Sequence, residues 1–247
     1  MQALMKRLHT YSQHFLKNPA FVKELIGHSS IKKTDIVYDI GAGSGIISSA
    51  LSGRCKTVIA IEPEPKTAQL LQKNVAKFDN VTVITDDFLS LDLPSTPYKV
   101  FANIPFHLSS PILRKVTETS HPPVAAYFIV QKQFANKLLP DHAGFSSQLG
   151  MQLGVRFAFK VRKQLRRTDF WPHPNVDTVL LEMILRDKPL VKITHTKPYN
   201  AFIARHFTNP DAFKKLFLAE VGKTPETKPS SLTLDDWVTL FKNSNYS

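Results

Sequence analysis

The segment Ile36-Val37-Tyr38-Asp39-Ile40-Gly41-Ala42-Gly43-Ser44-Gly45 joins an apolar run to three closely spaced glycines. It predicts a β-strand that turns tightly into a helix, because glycine allows sharp turning and close approach of a ligand to the backbone. Ile46 stands where a dinucleotide-binding motif has its last glycine, which disfavours a pyrophosphate ligand. No lysine followed by serine or threonine comes next, so a P-loop is also unsupported.

Further apolar runs follow this strand, with helical stretches between the first of them. Strands are predicted at Thr57–Ile61, Val81–Ile84, Tyr98–Ala102 and Ala125–Val130, with a hairpin of Gly154–Leu165 and Thr178–Leu185. This alternation is typical of an α/β fold with a Rossmann-like, doubly wound and largely parallel sheet. After Leu185 the spacing becomes helical, which predicts a catalytic domain over residues 1–186 and a small all-helical domain over residues 187–247. Eight apolar residues are the predicted core of that second domain: Phe202, Phe207, Phe213, Leu216, Phe217, Trp237, Leu240 and Phe241.

Composition narrows the class of protein. The single cysteine, Cys55, excludes an intramolecular disulfide framework and a cysteine-based zinc site. His107, His173 and His206 lack the spacing of a metal site, so no metal is expected. The longest apolar run, residues 124–130, is too short to cross a bilayer, and no secretory apolar region follows the N-terminus. A cytoplasmic protein without a membrane partner is expected.

The net charge of +12 indicates a polyanionic partner, with nucleic acid as the leading candidate. The alternative is a generic positive charge that serves solubility. Clustering favours the first interpretation, since residues 156–167 carry six basic residues and no acid. Four of these are the candidate phosphate contacts: Arg162, Lys163, Arg166 and Arg167.

Polar residues follow three of the predicted strands. Glu62 lies where an acid can hydrogen-bond the two hydroxyls of a ribose, although it could also be a solvated loop residue. Asp86 and Asp87 could accept a hydrogen bond from an adenine amine, or could cap a helix. In the stretch 103–106, Asn103-Ile104-Pro105-Phe106, the amide can accept from an exocyclic amine and the ring can stack on a base. The same four residues are also consistent with an ordinary turn.

Taken in order, these segments resemble the S-adenosylmethionine-dependent rRNA adenine N6-methyltransferases, which include Erm-type large-subunit and KsgA-type small-subunit enzymes. The matching segments are residues 12–16 (SQHFL), 39–45, 60–62, 87–89, 103–106 and 170–176 (FWPHPNV). The resemblance covers nearly the whole chain.

The resemblance implies a role for each matching residue. The cofactor, S-adenosylmethionine, would be bound by Gln13, His14, Leu16, Gly41, Ala42, Gly43, Gly45, Glu62, Pro63, Asp87, Phe88 and Asn103. The catalytic residues would be Asn103, Ile104, Pro105 and Phe106, with Asn103 orienting the target amine and Phe106 stacking on a flipped-out adenine. Phe170 would close the opposite side of that base.

Two features point to the Erm type within this family: isoleucine at the second motif position and a compact C-terminal domain. The implied function is mono- or dimethylation of an adenine in 23S rRNA, giving resistance to macrolides, lincosamides and streptogramin B. The protein would act as a monomer, before the ribosome is fully assembled. The alternatives are dimethylation of 16S rRNA in ribosome maturation, and a non-catalytic nucleic-acid-binding member of the superfamily. Phe106 replaces the tyrosine of many relatives, which bears on the number of methyl groups transferred.

Overall fold

A computed structural model describes residues 14–140, 145–221 and 228–244 of the chain. The chain divides into two compact units. The first comprises Met1–Phe134 and Lys160–Ile184, and the second comprises Ala135–Phe159 and Leu185–Ser247. The predicted boundary at residue 186 therefore differs from the structure in one respect, because residues 135–159 belong to the second unit. The reason is packing: Met151 and Val155 are buried in the same core as the C-terminal helices.

The first unit is built on the predicted α/β alternation. Its main elements are β2 (Ile36–Ile40), α2 (Ile46–Ser52), β3 (Thr57–Ile61), α3 (Pro65–Val75), β4 (Val81–Ile84), β5 (Lys99–Asn103), α4 (Ser109–Thr117) and β6 (Ala125–Gln131). They follow β1 (Phe15–Leu16) and α1 (Pro19–Gly27). Helix α1 begins at Pro19 because Asn18 accepts a 2.9 Å hydrogen bond from the backbone N–H of Ala20 and proline suits the first helical position.

Within the described residues, seven strands form the main sheet in the order β4-β3-β2-β5-β6-β9-β7. The last two are β7 (Phe157–Leu165) and β9 (Thr178–Leu185). The strands from β4 to β6 are parallel, and β9 pairs with β6 in the antiparallel sense. The chain order reverses between β2 and β5, so the switch point of the sheet lies where those two neighbouring strands end. Gly154, predicted in a strand, instead ends a helix, and its strand begins at Phe157.

A separate two-stranded sheet pairs β1 with β8 (Phe170–Trp171). Phe15 is opposite Trp171, and Leu16 is opposite Phe170. Leu16 and Phe170 are both buried in the core of the first unit, which also contains Val37, Val58 and Phe101. The sheet therefore fixes the segment before α1 against a segment more than 150 residues later.

The second unit is mainly helical, although it also includes the first three residues of β7. It contains α6 (Gln148–Gly154), α7 (Thr196–Thr208), α8 (Pro210–Val221) and α9 (Leu234–Asn243), after the short helix α5 (Lys132–Asn136), which crosses between the units. All eight predicted core residues lie in or against its aromatic cluster, so that prediction is confirmed. Helix α9 begins at a capping box, in which Thr233 and Asp236 exchange side-chain and backbone hydrogen bonds.

Candidate functional site

A cleft opens at the carboxyl ends of β2, β3, β4 and β5 in the first unit. The cleft is partly open to solvent, and its lining combines polar with apolar side chains. Residues of the predicted site that line it are His14, Gly41, Gly43, Glu62, Pro63, Asp87, Phe88, Asn103, Ile104, Pro105 and Phe106. Phe15, Thr67, Leu89, Leu108 and Ile112 also line it, and no role was assigned to them from the sequence. Gln13 lies outside the described residues.

The glycine loop has two different functions along its length. Gly41, Gly43 and Gly45 all have positive φ angles, of 71°, 57° and 92°, which favour glycine. Gly41 and Gly43 line the cleft, whereas Gly45 faces the helix behind it. A Cβ on Gly45 would lie 2.6 Å from Leu71 Cδ1, so glycine there permits close packing of α3. Ala42 is buried beside Leu71 and does not line the cleft.

Glu62 is held by the backbone on both carboxylate oxygens. Oε2 accepts the N–H of Gly43 at 2.9 Å, and Oε1 accepts the N–H of Glu64 at 3.1 Å. The side chain is 5% exposed, and this burial raises its pKa while the two N–H donors lower it. A carboxylate has about four lone-pair sites, so each oxygen can accept one more hydrogen bond from a ligand in the cleft.

Asp39 supports the loop from beneath rather than lining the cleft. It is fully buried, and its Oδ2 accepts a 2.6 Å hydrogen bond from the hydroxyl of Ser48. Its Oδ1 has no hydrogen-bond partner within the described structure. Burial raises the pKa of Asp39 to about 7, against the lowering effect of Ser48. A neutral Asp39 therefore forms part of the folded site near and below neutral pH.

Asp87 and Phe88 follow β4 as the sequence predicts. Asp87 is exposed, and its Oδ1 accepts the backbone N–H of Leu89 at 2.9 Å, a turn contact that leaves Oδ2 available to a ligand. The ring of Phe88 is buried, and the ammonium of Lys115 lies 5.7 Å from its centroid. No helix begins at this segment, so the helix-cap interpretation is wrong; Asp87 stabilises a turn and borders the cleft.

The amide of Asn103 is oriented by one hydrogen bond. Its Nδ2 donates to the carbonyl oxygen of His14 at 2.7 Å. That bond uses a donor, so the acceptor Oδ1 is left for a ligand in the cleft. The side chain of His14 is held in turn by a 2.8 Å hydrogen bond between its Nδ1 and the carbonyl oxygen of Pro172. The imidazole of His14 lies 5.3 Å from the ring of Phe106, centroid to centroid.

Phe106 begins a 3₁₀ turn over Phe106–Leu108 directly after Pro105. The carbonyl oxygen of Pro105 accepts the N–H of Leu108 at 2.9 Å, which closes this turn and holds the aromatic ring at the cleft. The stretch is a turn, as the simpler interpretation of the sequence proposed, and the same turn places Asn103 and Phe106 in one cleft.

Besides Ala42, two further predicted site residues lie in the core instead of the cleft. Leu16 and Phe170 face each other in the β1–β8 pair and are 5% and 0% exposed. A fully buried ring has no face available for stacking, so this structure gives no support to Phe170 as the second wall around the target base. The cause is the two-residue period of a strand, which turns their neighbours Phe15 and Trp171 to the opposite face.

Several of the predicted phosphate contacts are already engaged by acids. Lys163 contacts Glu24, and Arg167 lies 3.2 Å from Asp177. Arg162 lies 3.8 Å from Glu182 and also donates to the carbonyl oxygen of His28. Arg166 is exposed, and among the described residues it forms no ion pair. Of the four, its guanidinium is the one most available to an anionic ligand.

Comparison with known proteins identifies the family. The profile of the ribosomal RNA adenine dimethylase family matches residues 5–216, which is most of the chain. The chain belongs to this family. The match includes every strand end that lines the cleft.

Named relatives of this adenine dimethylase family member are similar over most of its length. It is 31% identical over 195 residues to ribosomal RNA small subunit methyltransferase A of Streptococcus agalactiae, covering 74% of this chain and 67% of that protein. It is 29% identical over 208 residues to an rRNA adenine N-6-methyltransferase of Lysinibacillus sphaericus, covering 83% and 82% respectively. The crystal structure of the 23S rRNA methyltransferase ErmE superposes with a TM-score of 0.81 at 22% identity, over 92% of this chain and 98% of that one. This last likeness shows the shared fold.

The comparisons support the family more firmly than the expected Erm subgroup. Further streptococcal relatives carry the same small-subunit name as the first. The expectation of a large-subunit enzyme is therefore less well supported than its small-subunit alternative. Within the described part of the chain, no helix is long and apolar enough to cross a membrane.

Proposed function

We propose that this protein transfers a methyl group from S-adenosylmethionine to N6 of an adenine in ribosomal RNA, with small-subunit rRNA as its substrate. The observation that carries the proposal is the hydrogen bond from Asn103 Nδ2 to the His14 carbonyl oxygen. It leaves an oriented acceptor, Oδ1, in a cleft that also contains the half-buried ring of Phe106 and the backbone-held carboxylate of Glu62.

The residues of the cleft fit the cofactor. The two oxygens of Glu62 each retain capacity for one ribose hydroxyl after accepting the N–H groups of Gly43 and Glu64. Gly43 gives the ligand access to backbone, because a Cβ there would approach Phe15 Cε1 to 3.3 Å and narrow the cleft. Asp87 Oδ2 is available to an adenine amine, and the apolar surface of Phe88 lies next to it. When bound, S-adenosylmethionine supplies a methyl group carried by a positively charged sulfonium.

The acceptor side of the cleft acts on the target amine. Adenine N6 is a weak nucleophile because its lone pair is delocalised into the ring. A hydrogen bond from the amine to Asn103 Oδ1 fixes the direction of that nitrogen and favours a more tetrahedral, more nucleophilic form. No strong base is required, since the nitrogen loses its proton only after it has become cationic. Positioning of the amine is thus the main catalytic contribution of the protein.

Phe106 and the basic surface act on the rest of the substrate. The target base must leave its stack, which costs a few kcal/mol and less in an unpaired loop. Stacking on Phe106 and phosphate contacts by cations such as Arg166 offset this cost. Phe106 lacks the hydroxyl of the tyrosine that many relatives have at this position. Because this difference bears on how many methyl groups are transferred, that number is to be measured directly.

The choice of the small subunit rests on the names of the streptococcal relatives, which share about 30% identity with this chain. Methylation of large-subunit rRNA is the second candidate. The match to the Lysinibacillus sphaericus rRNA adenine N-6-methyltransferase over 82% of its length, with the compact second unit, favours it.

One experiment separates these functions. The purified protein is incubated with labelled S-adenosylmethionine and either naked 16S or naked 23S rRNA, and the modified base is mapped and its methyl groups counted by mass spectrometry. Label on an adenine of 16S rRNA alone supports the proposal. Label on 23S rRNA alone establishes the second candidate. An absence of label with retained RNA binding would identify a non-catalytic member, and Asn103→Ala serves as the inactive control.

A further inference from the structure

The side chain of Trp171 is much more exposed than those of the residues directly before and after it. Its side chain is 53% exposed, whereas Phe170 beside it is fully buried. The chain has two tryptophans, and the other, Trp237, is completely buried in the second unit. A ring with about half of its surface in solvent is available to a ligand, and tryptophan is enriched at interfaces because it joins an apolar ring to a polar N–H group.

The register of the small sheet places this ring beside the cleft. Trp171 is directly opposite Phe15 in the antiparallel β1–β8 pair, and side chains opposite each other lie on the same face about 5 Å apart. Phe15 lines the cleft, where it lies against Gly43. The face of the sheet that carries Trp171 is therefore the face that borders the cleft.

Residues next to Trp171 contact the part of the cleft that contains His14 and Asn103. The next residue, Pro172, provides the carbonyl oxygen that meets His14 Nδ1 at 2.8 Å. The imidazole of His173 lies edge-on to the Trp171 indole, with 6.1 Å between the ring centroids. The Nδ1 atom of His173 is hydrogen-bonded to the carbonyl oxygen of Arg167 at 2.9 Å. Arg166, exposed and without an ion pair among the described residues, directly precedes the 3₁₀ turn Arg167–Asp169 that leads to Phe170.

We propose that Trp171 is a stacking platform for an unpaired nucleobase next to the target adenine. The inference rests on the proposed function, because it takes RNA as the substrate of the cleft. An indole offers a large flat face to any base, and the neighbouring cations suit the phosphates that flank it. The platform holds the strand on which the target adenine lies, and Trp171 is thus a positioning residue for the substrate.

Tryptophan fluorescence tests the contact directly. Because Trp237 is buried, a change of emission on addition of RNA reports Trp171. We expect a short unstructured single-stranded RNA to quench the emission and a duplex of the same sequence to quench it much less. The quenching should disappear in Trp171→Phe, while that variant keeps its RNA affinity within about threefold because a stacking ring remains. An emission unaffected by single-stranded RNA would overturn the proposal.

Affinity measurements give a second test. Loss of one base-stacking contact corresponds to about 5- to 150-fold weaker binding, so Trp171→Ala should bind the RNA that much less tightly and raise KM for rRNA. S-adenosylhomocysteine binding should stay unchanged, which shows that the cleft is intact. The matched control is Phe145→Ala, which removes an equally exposed ring, 55%, from the second unit. Equal losses in both variants, or none in Trp171→Ala, would overturn the assignment.

The two proposals fail in different ways. If wild-type protein shows quenching by RNA but methylates neither rRNA, the enzymatic function is wrong, whereas the stacking contact of Trp171 with an unpaired base is supported. If methylation occurs and Trp171→Ala retains wild-type KM and RNA affinity, the platform is wrong and the enzymatic function stands.

Discussion

The amide nitrogen of Asn103 lies 2.7 Å from the carbonyl oxygen of His14. The bond joins the end of β5 to the residue before β1 and decides which atom of the amide is left for a ligand in the cleft. Since the donor is used within the protein, the cleft presents an acceptor. A cleft with an acceptor at this point discriminates in favour of an amine, the group that adenine carries at C6.

Asn103→Ala should lower the rate of methyl transfer by about a hundredfold or more, because it removes the group that orients the amine. RNA affinity, measured by filter binding or fluorescence, should remain close to wild type. Asn243→Ala, an exposed change near the end of α9, is the matched control and should leave both quantities unchanged. Wild-type turnover in Asn103→Ala would contradict this role.

Glu62→Gln should weaken S-adenosylhomocysteine binding by about ten- to hundredfold. The amide that replaces the carboxylate brings an NH₂ group against one of two backbone donors and removes a charge-assisted acceptor for ribose. Calorimetry measures the change. The exposed Glu118→Gln at the end of α4 is the control. Unchanged cofactor affinity in Glu62→Gln would exclude Glu62 from the ribose site.

Two glycines at opposite ends of α2 should respond differently to alanine. Gly45→Ala places a Cβ 2.6 Å from Leu71 at a φ of +92°, and should lower the free energy of unfolding by about 1–3 kcal/mol. Gly53 has a φ of −77° and nothing closer than 3.9 Å, so Gly53→Ala should be neutral or stabilising by less than about 1 kcal/mol. Denaturant unfolding of both variants gives the comparison, and equal effects would contradict it.

The pKa of Asp39 predicts how stability depends on pH. Burial raises this pKa from its ordinary 3.8 to about 7, so between these values the folded protein holds a proton that the unfolded chain has released. The free energy of unfolding should therefore fall as pH rises through this window, by up to about 1.4 kcal/mol per pH unit.

Asp39→Asn should remove most of that slope, because the amide stays neutral at every pH. Part of the slope should remain, since burial also raises the pKa of Glu62 and acts in the same direction. Urea unfolding of the cofactor-free protein at several pH values provides the measurement. The exposed Asp79→Asn is the control variant. A wild-type slope that is retained in Asp39→Asn would show that other groups cause it.

Arg166→Ala should weaken RNA binding more than Arg167→Ala, because Arg167 is already paired with Asp177. The slope of log affinity against log salt should fall by about one unit for Arg166→Ala. Titrations with 16S rRNA at increasing salt concentration measure it. Lys163 contacts Glu24, so Lys163→Ala should also cost less RNA affinity than Arg166→Ala. A larger loss of RNA affinity in Lys163→Ala would contradict the prediction.

The sequence predicts the parallel strands and the glycine loop well, because buried strands are continuous apolar runs and the loop needs glycine. Glu62, Asp87 and Asn103 could be placed for the same reason, as they follow such runs directly. The strands β1 and β8 could not be predicted. Each has two residues, so no periodicity marks them, and they pair across most of the first unit.

The choice between Phe170 and Trp171 shows the limit of the sequence at residue level. Both are aromatic, and either could stack on a base. Only the register decides, because Leu16 and Phe170 turn to one face while Phe15 and Trp171 turn to the other. Similarly, no pattern in the sequence separates Gly43, which borders the cleft, from Gly45, which contacts α3.

The contact between His14 and Pro172 spans 158 residues. A ribosome makes the chain from its N-terminus, so the imidazole Nδ1 of His14 lacks this contact until Pro172 has emerged. Closing so long a loop carries an entropic cost that precedes any gain from the contact. The acceptor side of the cleft is therefore among the last parts of the first unit to form, and an unfinished nascent chain cannot present Asn103 to RNA in its working orientation.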